Sequence, residues 1–194
     1  WRSGKFFELV FSDLIEKSTR VHYYRTPLER IDRVAPFLFL DSNPYAVAVD
    51  GGIQWIVNAM TTTDQYPYSF PEELGDKSDE RSAFPRPERM VNYIEDSVKV
   101  TVDAYTGQLR FYQIASSAIV DAWSKIYPNL FLPAEQMPAG VSRQLTYPTQ
   151  LFHIQFDDLY IYYHMKHPMY FFNMEDMWDD GDEVLGPILD TGKA

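Results

Sequence analysis

The sequence predicts an α+β fold: an antiparallel sheet of two hairpins packed on a helix, followed by a helical C-terminal part. Three observations carry this expectation. Two pairs of apolar runs flank short glycine-bearing turns, a complete helix start precedes them, and apolar residues fall at helical spacing after residue 116. The 194 residues, 45% hydrophobic and 23% charged, are enough for one substantial core or two small ones.

The elements follow in chain order. Phe6, Phe7, Leu9, Val10, Leu14 and Ile15 read as a short amphipathic helix. Thr26-Pro27-Leu28-Glu29 is a stronger start, with Thr as N-cap, Pro at the first helical position and Glu three residues after the cap. Leu28, Ile31, Val34, Ala35 and Leu38 supply its apolar face, and Pro36 ends the regular helix near Ala35. Tyr45 to Val49 and Ile53 to Val57 flank Asp50-Gly51-Gly52, the turn chemistry of a tight hairpin. In the second hairpin Val98, Val100 and Val102 alternate with Lys99, Thr101 and Asp103, and Leu109 to Tyr112 return after a turn closed by Gly107. Four strands in two hairpins suggest an antiparallel sheet with one face covered by the helix from Thr26.

Pro71 to Arg89 holds charged residues and prolines with little that is apolar, and reads as a mobile surface loop. Ser116 or Ser117 caps a helix through Ile119, Ala122, Trp123 and Ile126, ended by Tyr127-Pro128. After a connection from Pro133 to Pro138, Pro148 to Met165 reads as the longest helix, with Phe152, Phe156, Leu159 and Tyr163 on one stripe. The organisation expected is a sheet domain over 1–115 with the loop at 71–89, a helical part over 116–178 packed on it as one continuous domain, and an acidic segment over 179–194. The opening at Trp1 rather than Met suggests a piece of a longer protein.

Composition excludes several function classes. Net charge is −11, which argues against a general phosphate-backbone binder. More than half of it lies in residues 174–194, where seven acids face one base. With no Cys, thiolate metal sites and Cys nucleophiles are excluded. No GxGxxG or GxSxG occurs, and Pro187-Ile188 stands where a phosphate loop after Gly181 and Gly186 requires Lys and Ser or Thr, so no nucleotide is expected. No apolar run reaches the roughly 18 residues of a spanning helix.

Two clusters remain as site candidates. His153, Asp157, Tyr160 and His164 form a second stripe on the last helix, with His167 one turn beyond. At 1.5 Å per residue, His153 and His164 stand roughly 16 Å apart, so only the pairs His153 with Asp157 or His164 with His167 can share a divalent cation. That is the basis for a metal-dependent hydrolase, against which stands an ordinary polar helix face with capping histidines. The acids from Glu175 to Glu183 lack the spacing of a twelve-residue calcium loop and read as a solvated segment. The second cluster is Thr61-Thr62-Thr63-Asp64-Gln65-Tyr66-Pro67-Tyr68-Ser69, read as a loop after a strand. With Trp55, its hydroxyls, carboxylate and rings Tyr66 and Tyr68 suit a glycan or peptide groove; the competing reading is a structural turn.

The order of motifs carries a resemblance. His22-Tyr23-Tyr24-Arg25, Glu29-Arg30, Ala35-Pro36-Phe37-Leu38, Asp41 with Pro44-Tyr45, Asp50-Gly51 with Trp55, and Thr61 to Asp64 with Tyr66 to Ser69 form one series. Asn92-Tyr93-Ile94, Ser97 to Val100, Val102 to Tyr105 with Gly107, Leu130-Phe131, Met137-Pro138, Tyr147-Pro148, Tyr163-His164-Met165 and Phe172-Asn173 with Trp178 continue it. Together these resemble an uncharacterised family of large bacterial multi-pass membrane proteins. The resemblance implies transmembrane helices in an N-terminal part and, for this region, a soluble place on the extracytoplasmic side of the cell membrane. It implies contact with the protein's own transmembrane region and other envelope components, and no reaction, cofactor or catalytic residue. Asn58-Ala59-Met60 stands where that family usually has Asp-Ala-Tyr, which puts in doubt any carboxylate role at position 58.

Overall fold

Two long antiparallel strands, β3 (Gly52–Thr63) and β6 (Tyr93–Asp103), form the spine of the fold. The computed structural model describes residues 24–74, 89–160 and 164–175, with backbone alone for 89 and 157–159. The apolar cluster at 6–15, the loop interior at 75–88 and the acidic segment 179–194 lie outside the described residues.

The helix α1 (Pro27–Val34) starts as its sequence requires. The Glu29 N–H donates to Thr26 Oγ1 (3.2 Å) and Thr26 N–H to Glu29 Oε2 (3.3 Å), the two halves of a capping box. Ile31 and Ala35 are fully buried, but Val34 is half-exposed, because the helix presents a narrower face to the sheet than its apolar pattern suggests.

Strands β1 (Phe39–Leu40) and β2 (Tyr45–Val49) both pair with β3, at different stretches of the same edge. The β2–β3 turn is Asp50-Gly51 alone, both at positive φ (52° and 76°), the geometry that matches the strand twist of a two-residue hairpin. On the other side β6 pairs with β7 (Leu109–Gln113). Their turn is built on Asp103, whose Oδ1 accepts from the N–H groups of Tyr105 and Thr106, and on Gly107 at φ +71°. The bonds from Thr106, backbone first, hold the Asp103 carboxyl below the ordinary carboxylate range.

Several sequence expectations are corrected here. The six-stranded sheet is mixed, since β8 (Phe131–Pro133) pairs with β7 in parallel, joined by the crossover helix α2 (Ala118–Ile126). Ser117 caps α2, and its buried residue is Val120, while Ile126 is exposed. The spine strands are longer than their apolar runs, so Thr61 to Thr63 belong to β3 and pair with Glu95, Ile94 and Tyr93; β-branched residues suit that pleat. The ends of the Pro71 to Arg89 segment form a two-stranded ribbon, β4 (Glu72–Leu74) with β5 (Arg89–Val91).

Both faces of the sheet are covered. On one, Ile31, Ala35 and Val120 pack on Val57, Ala59, Val98, Val100 and Phe111. On the other, Val47, Val49, Ile56 and Tyr112 meet Met137 and Val141, the latter from helix α3 (Ala139–Ser142). Each fully buried Val, Ile or Phe side chain among them stabilises by about 1.5–3 kcal/mol. Lys99 and Thr101 are therefore only 3% exposed. A third cluster joins Phe39, Met60, Leu74 and Val91 to Leu151 of helix α4 (Thr149–His153).

The expected eighteen-residue helix is broken. α4 passes into a π-helix at Ile154–Tyr160, and a separate helix α5 occupies Pro168–Asn173. Leu151 and Ile154 face the core, whereas Phe152 is 46% exposed. Asp41 anchors the N-terminus of α4 and so helps set which side turns inward, accepting from Thr149 N–H at 2.7 Å.

Candidate functional site

The β3–β6 spine ends in a small aromatic surface held by one side chain. Asn92 lies between β5 and β6, and its amide copies a strand partner. Its Oδ1 accepts from Tyr66 N–H (2.9 Å), and its Nδ2 donates to the carbonyls of Tyr66 (2.8 Å) and Ser69 (3.3 Å). The Tyr66 ring stacks on Tyr93 of β6 at 5.2 Å between centroids, 14° from parallel. Between the clamped residues, Tyr68 sits at φ +62° with its ring wholly in solvent, and Phe70 is 80% exposed. A left-handed backbone costs a tyrosine about 1–2 kcal/mol and is tolerated because the residues on either side are held. Burial first, then the adjacent Glu95 carboxylate, holds the Tyr93 phenol above its ordinary pKa, so it remains a neutral donor.

The threonines divide. Thr61 is buried, its hydroxyl sharing a 2.6 Å hydrogen bond with Ser97, whereas Thr62 and Thr63 are partly exposed and Thr63 pairs with Tyr93. Thr63 Oγ1 accepts from Gln65 N–H, and Asp64 Oδ1 accepts from the Gln65 amide, which shapes the turn into the loop. Trp55 does not join them. It packs beside the first core, eight residues back along β3, which at about 3.3 Å per residue is about 26 Å away.

Further along the same two strands lies a buried polar network. A bulge opposite Ala59 and Met60 leaves Ser97 without a cross-strand partner. On a regular strand, residues three apart point to opposite faces; the extra residue brings Asp96 round to Lys99, and Nζ donates to Asp96 Oδ2 at 2.6 Å. Lys99 Nζ also donates to Asn58 Oδ1 (2.8 Å) and to the Thr146 carbonyl (3.4 Å). Asn58 Nδ2 in turn donates to Asp41 Oδ2 (3.3 Å). Asp41 is wholly buried, and Asp96 Oδ1 is buried with no hydrogen-bond partner. Burial raises the Asp96 carboxyl above its ordinary pKa; the bond and charge of Lys99 oppose this, while Asp41 and Glu95 reinforce it. Chemically the network is a clasp. Three side chains of the sheet region, Tyr45, Lys99 and Asp41, hold backbone groups of residues 146–149.

His153 ends α4, and position 157 lies in the π-helix. His164 Nδ1 donates to the Tyr160 carbonyl (2.8 Å), and His167 Nδ1 accepts from Met169 N–H as the N-cap of α5. Among the described residues, no group of three or more His, Cys, Asp or Glu is arranged to hold a metal ion.

Sequence reasoning missed Asn92, Phe70 and the Asp41–Asn58–Lys99–Asp96 network as site candidates. Asn92 is 26 positions from Tyr66, across the Pro71 to Arg89 segment, so no local pattern joins them. The one available signal was Lys99 within a run of valines.

Comparison with known proteins gives one consistent result. The model of a family described as "Uncharacterised protein family (UPF0182)" matches residues 4–187. Similar relatives are UPF0182 proteins of Methanospirillum hungatei (40% identical over 178 residues), Trichodesmium erythraeum (39% over 183) and Micrococcus luteus (38% over 175). They cover 91%, 91% and 88% of this chain but 19%, 20% and 17% of the relatives, so the chain spans about a fifth of their length. No solved structure matches. Among the described residues, no helix is long and apolar enough to cross a membrane.

Proposed function

The chain belongs to the uncharacterised protein family UPF0182, and from that premise we propose that it is an extracytoplasmic binding or assembly region of a large integral membrane protein. The membrane anchor and the outward placement rest on the order of sequence motifs. The binding role rests on one observation: Tyr66, Tyr68 and Phe70 stand in solvent on a backbone that Asn92 fixes, with Tyr68 in a conformation that costs stability and buries nothing. Rigid exposed aromatic rings are what recognition surfaces use, because they bring large contact area with little side-chain entropy to lose. The ligand class that fits is a glycan or extended peptide lying across the ring faces, with Thr63, paired with Tyr93, as a neighbouring hydroxyl. Among the described residues, the histidine segment gathers no group of three or more metal-ligating side chains for a metal hydrolase.

The test is a glycan and peptide array probed with the chain and with Tyr68→Gly. Glycine accepts φ +62° without strain, so the variant folds at least as well as the parent, and loss of a bound ligand cannot be ascribed to unfolding. Ligands retained in full by Tyr68→Gly and by Tyr66→Ala would remove the binding surface from consideration. Placement is checked separately, with a topology reporter fused after Trp178 in the full-length protein; strong cytoplasmic activity contradicts it.

A further inference from the structure

Helix α5 is closed at both ends, and none of its residues is buried. His167 caps its start, and Met174 ends it at φ +52° with its N–H directed to the carbonyls of Phe171 and Tyr170. Between the caps no charged side chain occurs. Met169, Tyr170, Phe172 and Met174 are 57%, 52%, 82% and 56% exposed, and no residue of the helix is buried. A six-residue helix is not stable in water by its own hydrogen bonds, since isolated helices below about 12–15 residues are marginal; it needs a surface to pack on. A contiguous apolar surface of this kind on a soluble protein marks an interface.

We infer that α5 is the docking face of this region, and that its occupant is the remainder of the same polypeptide. Length supports this: the matched region is about a fifth of the related proteins, so about four-fifths of such a chain lies outside it. A partner on the same chain is present at an effective concentration that reaches the millimolar range for short linkers, well above a second copy or a separate protein at cellular concentration. Charge disfavours an anionic lipid surface, because Glu175, Asp176, Asp179 and Asp180 follow directly and would be repelled by it.

The experiment is site-specific photocross-linking in the full-length protein, with Phe172→p-benzoylphenylalanine and, at a second position, Met169→p-benzoylphenylalanine. Tyr105→p-benzoylphenylalanine, on the exposed β6–β7 turn, is the control. The expected product at 172 and 169 has the mass of one chain and joins α5 to a peptide outside residues 1–194, in higher yield than at 105. A lipid adduct, a product of dimer mass, a cross-link back into residues 1–194, or a yield no higher than the control would each overturn the inference. An intramolecular cross-link is expected whichever side of a membrane the region occupies and whatever Tyr68 binds, so this outcome and those of the topology and array tests are independent.

Discussion

Replacing Lys99 by Met tests whether the buried network holds the C-terminal part on the sheet. The side chain is 3% exposed and donates to Asp96 Oδ2, Asn58 Oδ1 and the Thr146 carbonyl. Methionine keeps the volume and removes all three bonds. Asp96 is then a carboxylate with no cation, one oxygen of which already lacked a partner, and the Asn58 carbonyl is orphaned. Breaking a buried pair from one side costs about 3–5 kcal/mol, and an orphaned amide about 1–3 kcal/mol. Because the Asp96 side chain is 19% exposed and water reaches its rim, the lower end applies, about 3 kcal/mol at pH 7. For a domain of this size that is a fall in Tm of about 6–12 °C.

The deficit depends on pH in a fixed direction. The Asp96 carboxyl lies above its ordinary 3.8 in the folded state, so the stability its protonation contributes is complete below that value and is lost as pH rises through the folded pKa. Without Lys99, the bond and charge that lower this pKa are gone and it rises further. The variant therefore comes closer to the parent at pH 4 than at pH 7. Urea unfolding at both pH values measures the difference. A loss under about 1 kcal/mol at pH 7, the size of an exposed ion pair, or an equal loss at both pH values would refute the account.

Two further predictions concern single positions. Asn92→Ala removes the amide that pairs with Tyr66 and Ser69, so the Tyr66 N–H loses its acceptor; its hydrogen exchange becomes faster while exchange in β6 beyond the bulge, at Val100 and Val102, is unchanged. Gly107→Ala places a methyl where the Arg30 guanidinium lies, at a φ of +71° that alanine resists, and breaks the bond from Arg30 to the Gly107 carbonyl. The expected loss is about 1–3 kcal/mol, read as a lower urea midpoint with unchanged slope.

What could be read locally was correct wherever the physics is local. Thr26 with Glu29, Asp50-Gly51, and Asp103 with Gly107 each satisfy their own backbone groups within a few residues, so residue type alone specifies the cap or turn. The alternating valines of β6 likewise identify a strand with one buried face. The second face was not legible, because whether Lys99 meets water depends on Met137, Val141 and the clasped segment 146–149 arriving from much later in the chain.

The aromatic surface shows the same division. Tyr66 and Tyr68 were visible as candidates from composition, and Trp55 was grouped with them because sequence distance is a poor measure of separation along an extended strand. The amide of Asn92 that fixes those rings and the bulge at Ser97 that turns Asp96 toward Lys99 both involve contacts between distant segments. By itself the sequence determined the α+β class, the caps and the turns, since short-range hydrogen bonds and side-chain periodicity decide those. Only the tertiary structure decided which polar groups are buried together and which apolar rings are left in solvent, because burial belongs to the packed whole and not to any one segment.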